Sequence, residues 1–292
     1  MRKRWFILFL LLPLVVQAEE TPRSAMHKGL KAYKAGDYTN AVSFLKKTVL
    51  EFPGIGNYNL GNAYYRLKEY EKAAQTFNEV LRSPDLALQA KAYYNRANAL
   101  FSQATNITDI KQSNRAIEFA FQAEDSYEKS LLLNPHDLDA KQNFERARNL
   151  RMQLEFKKGK WYYDQADALL KKYKAKKAKQ FYLLSKKEFT HLLKDLDPSY
   201  TSAKDYIKNI DQKLAMLQKS VEDARANLDK SLLFIKDYQY ALAARALTQL
   251  PPEFRYAFDL EPELKKKYEE IIKKDSQVLK IIKDLSKKNL SK

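Results

Sequence analysis

The first half of the chain repeats one pattern of small, large apolar and proline residues. Each occurrence has a small residue, then an alanine, then a large apolar residue four positions after the alanine, and then a proline. The three occurrences are Gly29, Ala41, Leu45 and Pro53; Gly61, Ala73, Phe77 and Pro84; and Ala97, Ala123, Tyr127 and Pro135. Small residues let two helices approach closely, and a proline cannot continue a helix. The pattern therefore predicts three consecutive pairs of helices, each pair joined by a turn.

The third occurrence is longer than the first two. In those two, the alanine follows the small residue after 12 positions, whereas Ala97 and Ala123 are 26 positions apart. The 14 added residues fall near Ser102–Arg115, a stretch that is largely polar. We expect them to form a lengthened loop between the two helices of the third pair.

These three units resemble the tetratricopeptide repeat (TPR), a helix-turn-helix unit with a period of about 34 residues. The resemblance covers residues 21–150 and is strongest at Tyr58-Asn59-Leu60-Gly61-Asn62-Ala63. It implies an all-α fold, a TPR α-solenoid of helical hairpins. It also implies that the chain binds other proteins.

A narrower resemblance concerns the segment after the third unit. Asn134-Pro135-His136-Asp137 and Asn143-Phe144-Glu145 resemble the helix that closes the TPR block in the Bat proteins of bacterial aerotolerance operons. Those proteins are exported or envelope-associated and act as scaffolds for other Bat proteins. The resemblance implies partners of that kind, while the long third unit and the C-terminal half differ from the Bat pattern.

The second half continues as helices with a weaker repeat pattern. Gly159 and Pro198 fit the start and end of a fourth pair, and a fifth is predicted from a helix over Ser202–Ile235, a turn at 236–238 and a helix over Ala241–Leu250. Apolar residues at steps of three, four or seven then predict one helix, with Leu264, Tyr268, Ile271, Val278, Ile282 and Leu285 on one face. We expect this helix to cap the repeat array, and the alternative is a surface offered to a partner.

Composition agrees with a helical fold. Only 6 glycines and 9 prolines occur in 292 residues, and alternating runs typical of strands are absent. The predicted fold class is therefore all-α, a TPR α-solenoid with a longer-helix C-terminal extension. Its predicted parts are a signal peptide over residues 1–18, a TPR domain over 19–150, and a C-terminal helical domain with degenerate TPR-like hairpins over 151–292.

The first 18 residues have the features of a secretory signal peptide. Arg2, Lys3 and Arg4 precede an apolar stretch over Trp5–Val16, and Ala18 offers a small residue for cleavage. An uncleaved anchor is the alternative, but such a stretch spans only about 18 Å of a hydrocarbon core of roughly 30 Å. We expect cleavage after Ala18 and an exported protein, periplasmic or envelope-associated.

The sequence offers no combination of residues typical of an enzyme. The chain has no cysteine and 3 histidines, His27, His136 and His191, none at metal-ligand spacing. Ser43 and Ser126 each stand in a Ser-x-x-Lys pattern, but the companion motifs of acyl transfer are missing. We expect no catalysis, no metal and no cofactor.

The predicted binding groove is formed by the first helices of the second and third units. Its predicted residues, flanked by Ile55 and Ser102, are Tyr58, Asn62, Tyr65, Arg66, Lys91, Tyr94, Asn98 and Phe101. Aromatic rings give rigid contact area and asparagine can hold an extended peptide, so we expect the amides of Asn62 and Asn98 to be free for a ligand. One alternative is that the tyrosines pack between helices. Another is a carboxylate clamp, of which Asn62 and Asn95 match part while Tyr58 replaces the first lysine.

Positive charge is concentrated after the repeats. The formal net charge is +17, and Lys157–Lys187 contains 11 lysines and 2 acidic residues. The lysines predicted to dock on an anionic surface are Lys171, Lys172, Lys174, Lys176, Lys177 and Lys179. The simpler alternative is a solvated helix face. Because an exported protein meets little nucleic acid, we expect an anionic membrane, cell-wall polymer or acidic protein segment as partner, and no nucleic acid.

Two functions follow from these features. The leading hypothesis is an exported TPR scaffold, of the Bat type, that binds protein partners through its concave groove. The alternative is an envelope-assembly or surface-anchoring factor that docks on anionic envelope components through its basic C-terminal half.

Overall fold

The chain folds into helices joined by short turns. The computed structural model describes residues 20–248 and 250–290, and only the backbone of residues 276 and 285–290. The helices are α1 (Pro22–Lys34), α2 (Tyr38–Lys46), α3 (Pro53–Arg66), α4 (Tyr70–Val80), α5 (Leu86–Asn106), α6 (Ser113–Leu133), α7 (Leu138–Lys171), α8 (Ala175–Asp195), α9 (Thr201–Lys236), α10 (Tyr240–Thr248), α11 (Phe254–Leu260), α12 (Pro262–Lys274) and α13 (Ser276–Leu290). No strand occurs among these residues, which confirms the predicted all-α class. The predicted signal peptide, residues 1–18, lies outside the described residues.

The chain divides into two compact units. Unit 1 contains the residues up to Gln103 together with Gln122–Phe144, and unit 2 contains Ala104–Phe121 and the residues from Glu145 onward. Helix α7 continues without a break through the predicted domain boundary at residue 150. In the part of the chain that the structure describes, no helix has both the length and the apolar character needed to cross a membrane.

Glycines mark close contacts inside three hairpins, as the sequence pattern predicts. A Cβ atom at any of these glycines would lie 2.7–2.8 Å from a side-chain atom of its partner. The pairs are Gly29 with Leu45, Gly61 with Phe77, and Gly159 with Phe189. All three partners are fully buried. The third pair confirms that Gly159 belongs to a fourth hairpin, formed by α7 and α8.

The residues added to the third hairpin lengthen its helices. Helix α5 continues to Asn106 and α6 begins at Ser113, so only residues 107–112 connect them, including a 3-10 helix at Ile110–Gln112. The structure therefore differs from the loop predicted over Ser102–Arg115. The reason is that this stretch, although polar overall, places Ala104 on the buried face of α5, where it is fully buried and continues the helix.

The fourth hairpin is lengthened by the same amount. The small residue and its large partner are 16 positions apart in the second hairpin, but 30 positions apart in the third (Ala97 and Tyr127) and in the fourth (Gly159 and Phe189). In the fourth hairpin the difference is divided equally, with seven more residues before the turn at Tyr173 and seven more after it, which is about two turns for each helix. Because whole turns were added, the face of each helix that is buried keeps its direction.

Four of the described turns end the first helix of a hairpin in the same way. Each has one residue with a positive φ: Gly36 (80°), Lys68 (61°), Tyr173 (55°) and Tyr238 (57°). The next backbone N–H donates to the carbonyl oxygen five residues earlier, at 2.7–3.0 Å. This is the Schellman arrangement, which favours glycine at the positive-φ position. The last of these turns joins α9 and α10, the fifth hairpin that the sequence predicts.

The C-terminal apolar stripe forms two helices and not one. Asp275 separates α12 from α13 with an extended backbone, and its Oδ1 accepts hydrogen bonds from the backbone N–H of Gln277 and Val278, both at 3.0 Å. The single predicted helix is therefore wrong at this residue, because an aspartate that caps a new helix competes with continuing the old one. Leu264 and Val278 are still buried together in the core of unit 2, which also includes Leu247 of α10. Tyr268, Ile271 and Ile282 of the stripe also pack against that core, and the side chain of Leu285 lies outside the described residues.

Candidate partner-binding groove

The predicted groove residues lie on two helices of unit 1. Helices α3 and α5 carry four each: Tyr58, Asn62, Tyr65 and Arg66 on α3, and Lys91, Tyr94, Asn98 and Phe101 on α5. None of the eight is fully buried, and Arg66 and Lys91 are exposed. Their side chains are therefore accessible at least in part, as groove residues must be.

Three of the eight residues line one hollow, which we call the Tyr58–Tyr94 hollow. Tyr58, Lys91 and Tyr94 contribute to its wall, and its volume is about 510 Å³. The other residues in the wall are Ala87, Ala90, Asn95, Leu133, Asn134 and Asp137. The hollow thus combines two aromatic rings with two amides and one charge of each sign.

Asn95 of α5 is hydrogen-bonded to α3 and occupies the amide oxygen of Asn62, which was expected to be free for a ligand. Asn95 Nδ2 donates to Asn62 Oδ1 at 2.9 Å and to the Tyr58 hydroxyl oxygen at 3.2 Å. The amide oxygen of Asn62 is therefore already bonded, which corrects the expectation that the whole amide is free. Its Nδ2 has no acceptor among the described residues and can donate to a ligand.

Asn98 and Tyr94 are held in a second network. The Tyr127 hydroxyl donates to Asn98 Oδ1 at 2.5 Å, and the rings of Tyr94 and Tyr127 lie 5.8 Å apart. Asn143 Nδ2 donates to the Tyr94 hydroxyl oxygen at 2.9 Å. The expectation of a free amide is thus wrong for the oxygen of Asn98 as well. The two tyrosines of the hollow are held in place before any ligand arrives, which lowers the entropy cost of binding.

Asn62 and Asn98 lie outside the wall of the hollow, and so do the other three predicted residues, Tyr65, Arg66 and Phe101. The ring of Tyr65 packs 5.4 Å from that of Tyr70, and the Arg66 guanidinium lies 4.9 Å from the ring centre of Tyr38. Burial raises the pKa of the nearby Tyr33, and the positive charge of Arg66 partly offsets this rise. Packing within the second hairpin therefore describes Tyr65, and packing between the first and second hairpins describes Arg66, better than ligand contact does. Phe101 is only partly exposed and is not in the wall of the hollow.

Six of the nine wall residues were not among the eight predicted, and two of these six, Asn134 and Asp137, lie far from α3 and α5 in the sequence. They belong to the turn between α6 and α7, where Asp137 Oδ1 accepts from the backbone N–H of Ala140 at 2.9 Å and so begins α7. In the sequence, Asn134-Pro135-His136-Asp137 indicates the end of a repeat. Only the tertiary structure places this turn beside Lys91 and Tyr94.

The six lysines of the second predicted site lie in unit 2. They surround the turn between α7 and α8, and the side chains of all six are exposed: Lys171, Lys172, Lys174, Lys176, Lys177 and Lys179. They form one cluster at the end of a hairpin, separate in sequence from the hollow residues.

The model of the tetratricopeptide repeat matches residues 26–86 and, in a second register, residues 58–105. These residues contain α3, most of α5 and six of the nine wall residues of the hollow. The part of the chain that carries the predicted groove therefore consists of tetratricopeptide repeats. Proteins with such repeats generally serve in protein–protein interaction. No curated protein matches the chain.

Solved structures of TPR proteins are similar to the chain at low identity. The first TPR domain of the human RPAP3 protein is 24% identical, with 46% of this chain and 98% of that one covered and a TM-score of 0.38. A TPR repeats protein of Bacteroides fragilis is 16% identical, with 66% and 99% covered and a TM-score of 0.35. The TPR2AB domain of yeast Sti1, in complex with an Hsp90 peptide, is 18% identical, with 85% and 97% covered and a TM-score of 0.37. These TM-scores are low, and the repeat assignment depends on the family model and on the hairpins themselves.

Proposed function

We propose that this chain is a scaffold that binds an extended segment of a partner protein in the Tyr58–Tyr94 hollow. The observation that carries the proposal is the pair of partly exposed tyrosines, each fixed by an asparagine, in the wall of a hollow of about 510 Å³. Rigid aromatic surface of this kind contributes strongly to protein–protein binding.

The hydrogen-bonding groups of the site suit a peptide backbone. Asn62 and Asn98 do not line the hollow, but they lie on α3 and α5, the helices that carry its two tyrosines. Their amide oxygens are occupied, whereas their Nδ2 groups have no acceptor among the described residues. An extended peptide presents carbonyl oxygens that can accept from such donors. Lys91 carries a positive charge and Asp137 a negative one. They can contact side chains of opposite sign on the bound segment and so favour one direction of that segment.

The test fills the hollow without touching its hydrogen bonds. Ala87 is an exposed residue of its wall, so Ala87→Trp should block binding while leaving the helices folded. Ala35, an exposed alanine at the end of α1, gives the matched control Ala35→Trp. Proteins from envelope extract that are retained by the wild type and by the control should be lost with Ala87→Trp. For a partner identified in this way, we expect the Kd to rise at least about tenfold, equivalent to about 1.4 kcal/mol. Equal retention by Ala87→Trp would remove the hollow from the proposal.

We further propose that the protein is exported and that its partners belong to a Bat-type envelope complex. The export proposal is supported by the basic, apolar and small residues of positions 2–18, and the Bat proposal by the Asn143-Phe144-Glu145 segment. N-terminal sequencing of the protein from the envelope should begin at Glu19. A sequence beginning at Met1 or Arg2 would contradict cleavage. Recovery of partners unrelated to Bat proteins in the Ala87→Trp comparison would contradict the narrower proposal and leave the scaffold function standing.

A further inference from the structure

The end of the α7–α8 hairpin concentrates positive charge. The nine residues Lys171–Lys179 contain six lysines and no acidic residue. Helix α7 ends at Lys171, and α8 begins at Ala175, so the lysines lie on both sides of one tight turn. We call these six lysines the basic tip. All six side chains are exposed to solvent.

The charge of the basic tip is not neutralised by neighbouring carboxylates. Elsewhere on the same two helices lysines are paired: Lys158 with Glu188 at 2.7 Å, Lys160 with Asp164 at 2.8 Å and Lys186 with Asp211 at 2.5 Å. In contrast, no described carboxylate lies within ion-pair distance of a basic-tip Nζ. Asp259 of α11 reaches the tip, but it accepts from the backbone N–H of Lys176 at 2.8 Å.

The packing beside the turn adds one more cation and an aromatic ring. The Arg255 guanidinium lies 4.8 Å from the ring centre of Tyr173, the positive-φ residue of the turn. The ring of Tyr256 packs on Tyr173 from α11 at 5.6 Å. Tyr173 nevertheless keeps 39% of its surface exposed, between the lysines. The tip therefore presents an amphipathic aromatic residue surrounded by positive charge.

We propose that the basic tip docks on the surface of an anionic phospholipid membrane. Clusters of four to eight basic residues are attracted to anionic headgroups, each cation adding to the attraction. Tyrosine favours the level of the headgroups, where its ring is partly buried and its hydroxyl stays in water. The site is independent of the Tyr58–Tyr94 hollow and needs none of its residues.

The choice of residues favours a membrane over an acidic protein segment. Lysine is a hydrated point charge on a flexible stem, which suits attraction to a diffuse layer of charge. Recognition of individual carboxylates generally uses the planar fork of arginine, and no arginine occurs in Lys171–Lys179. The lysines also lie on both sides of one turn at the end of a hairpin, exposed and close together in the sequence.

The test measures binding of the full chain to vesicles. Binding is compared between phosphatidylcholine vesicles, which are neutral, and vesicles that also contain about 30% phosphatidylglycerol, which are anionic. The difference between the two measures the binding that depends on lipid charge. The tip variant carries four substitutions to serine: Lys172→Ser, Lys174→Ser, Lys177→Ser and Lys179→Ser. The matched control makes the same change of net charge at four exposed lysines of α9: Lys204→Ser, Lys208→Ser, Lys219→Ser and Lys236→Ser. Circular dichroism checks that both variants fold, and a tip variant with arginine at the same four positions keeps the charge.

We expect the wild type to bind anionic vesicles at least about tenfold better than neutral ones, and the tip variant to lose most of this difference. The α9 control and the arginine variant should stay close to the wild type, and about 0.5 M salt should release the protein. An equal loss in the α9 control would overturn the proposal, because net charge alone would then explain binding. Binding to polyglutamate without binding to anionic vesicles would also overturn it, in favour of an acidic protein partner.

Discussion

At the scale of single residues, the hairpins depend on positions where there is no room for a Cβ atom. Gly61 faces the ring of Phe77 and Gly159 faces the ring of Phe189, and both rings are fully buried. A buried ring cannot move away without disturbing its other neighbours, because protein interiors are close-packed. Glycine lowers helix propensity at these positions, and the contact with the ring accounts for its presence.

Alanine at either position should therefore destabilise the protein. We expect Gly61→Ala and Gly159→Ala each to lower the free energy of unfolding by about 1–3 kcal/mol, although alanine is the better helix former. Gly54→Ala is the matched control, because its Cβ atom would lie 3.2 Å from the end of the Leu88 side chain and need only a small shift. Thermal and urea unfolding measure the difference. An unchanged stability of Gly61→Ala would mean that the repeat register is wrong.

The residues with positive φ at the turns give a second prediction at this scale. Lys68 is exposed and takes the conformation that Gly36 takes in the preceding hairpin. We expect Lys68→Gly to raise the free energy of unfolding by about 1 kcal/mol, since glycine removes the strain of the left-handed conformation. Gly36→Ala should lower it by a similar amount, because nothing within 4 Å would obstruct the new Cβ atom and only the backbone resists. If both substitutions change stability in the same direction, the turn geometry is not the cause.

At the scale of helices, the pair α12 and α13 depends on one aspartate. Asp275 Oδ1 accepts from two backbone N–H groups that begin α13. We expect Asp275→Ala to lower the free energy of unfolding by about 1 kcal/mol, since both donors lose their acceptor. Asp284→Ala is the control, because Asp284 is an exposed residue within α13. Hydrogen exchange at Gln277 and Val278 should accelerate in the first variant and stay unchanged in the second.

The same two scales show what the sequence could predict. The close approach of two helices at Gly61 was predicted, because the repeat places a small residue there, and the structure shows that the close contact is with Phe77 of the same hairpin. The hydrogen bond from Asn95 to Asn62 was missed, because it joins two hairpins over 33 residues and no periodic pattern selects a polar partner. The break at Asp275 was missed because the step of seven from Ile271 to Val278 keeps the apolar stripe continuous across it.

At the scale of the whole molecule, the chain carries two candidate binding surfaces in two different units. The Tyr58–Tyr94 hollow belongs to unit 1 and the basic tip to unit 2. Aromatic and amide contacts are weakly affected by salt, whereas attraction between exposed charges is screened. The two surfaces should therefore respond differently to the same change of conditions.

Crossed measurements on the two variants test this separation. Ala87→Trp should lose partner binding and keep binding to anionic vesicles. The four-serine tip variant should show the reverse. Raising the salt concentration to about 0.5 M should abolish vesicle binding by the wild type and leave most partner binding intact. Loss of both activities in either variant, with circular dichroism unchanged, would show that the two surfaces act as one site.

The lengthened third and fourth hairpins also constrain how such a chain can change in length. In the fourth hairpin each helix has seven more residues between its contact residue, Gly159 or Phe189, and the turn at Tyr173 than the second hairpin has. Seven residues turn a helix by two revolutions to within about 20°. An insertion of five in one helix would instead rotate everything beyond it by about 140°, and buried alanines such as Ala104 would face water. Insertions and deletions should therefore survive here in steps that complete whole turns, such as about seven or eleven residues for each helix. A repeat of this kind grows in discrete steps, and the fixed period of about 34 residues no longer holds from the third hairpin onward.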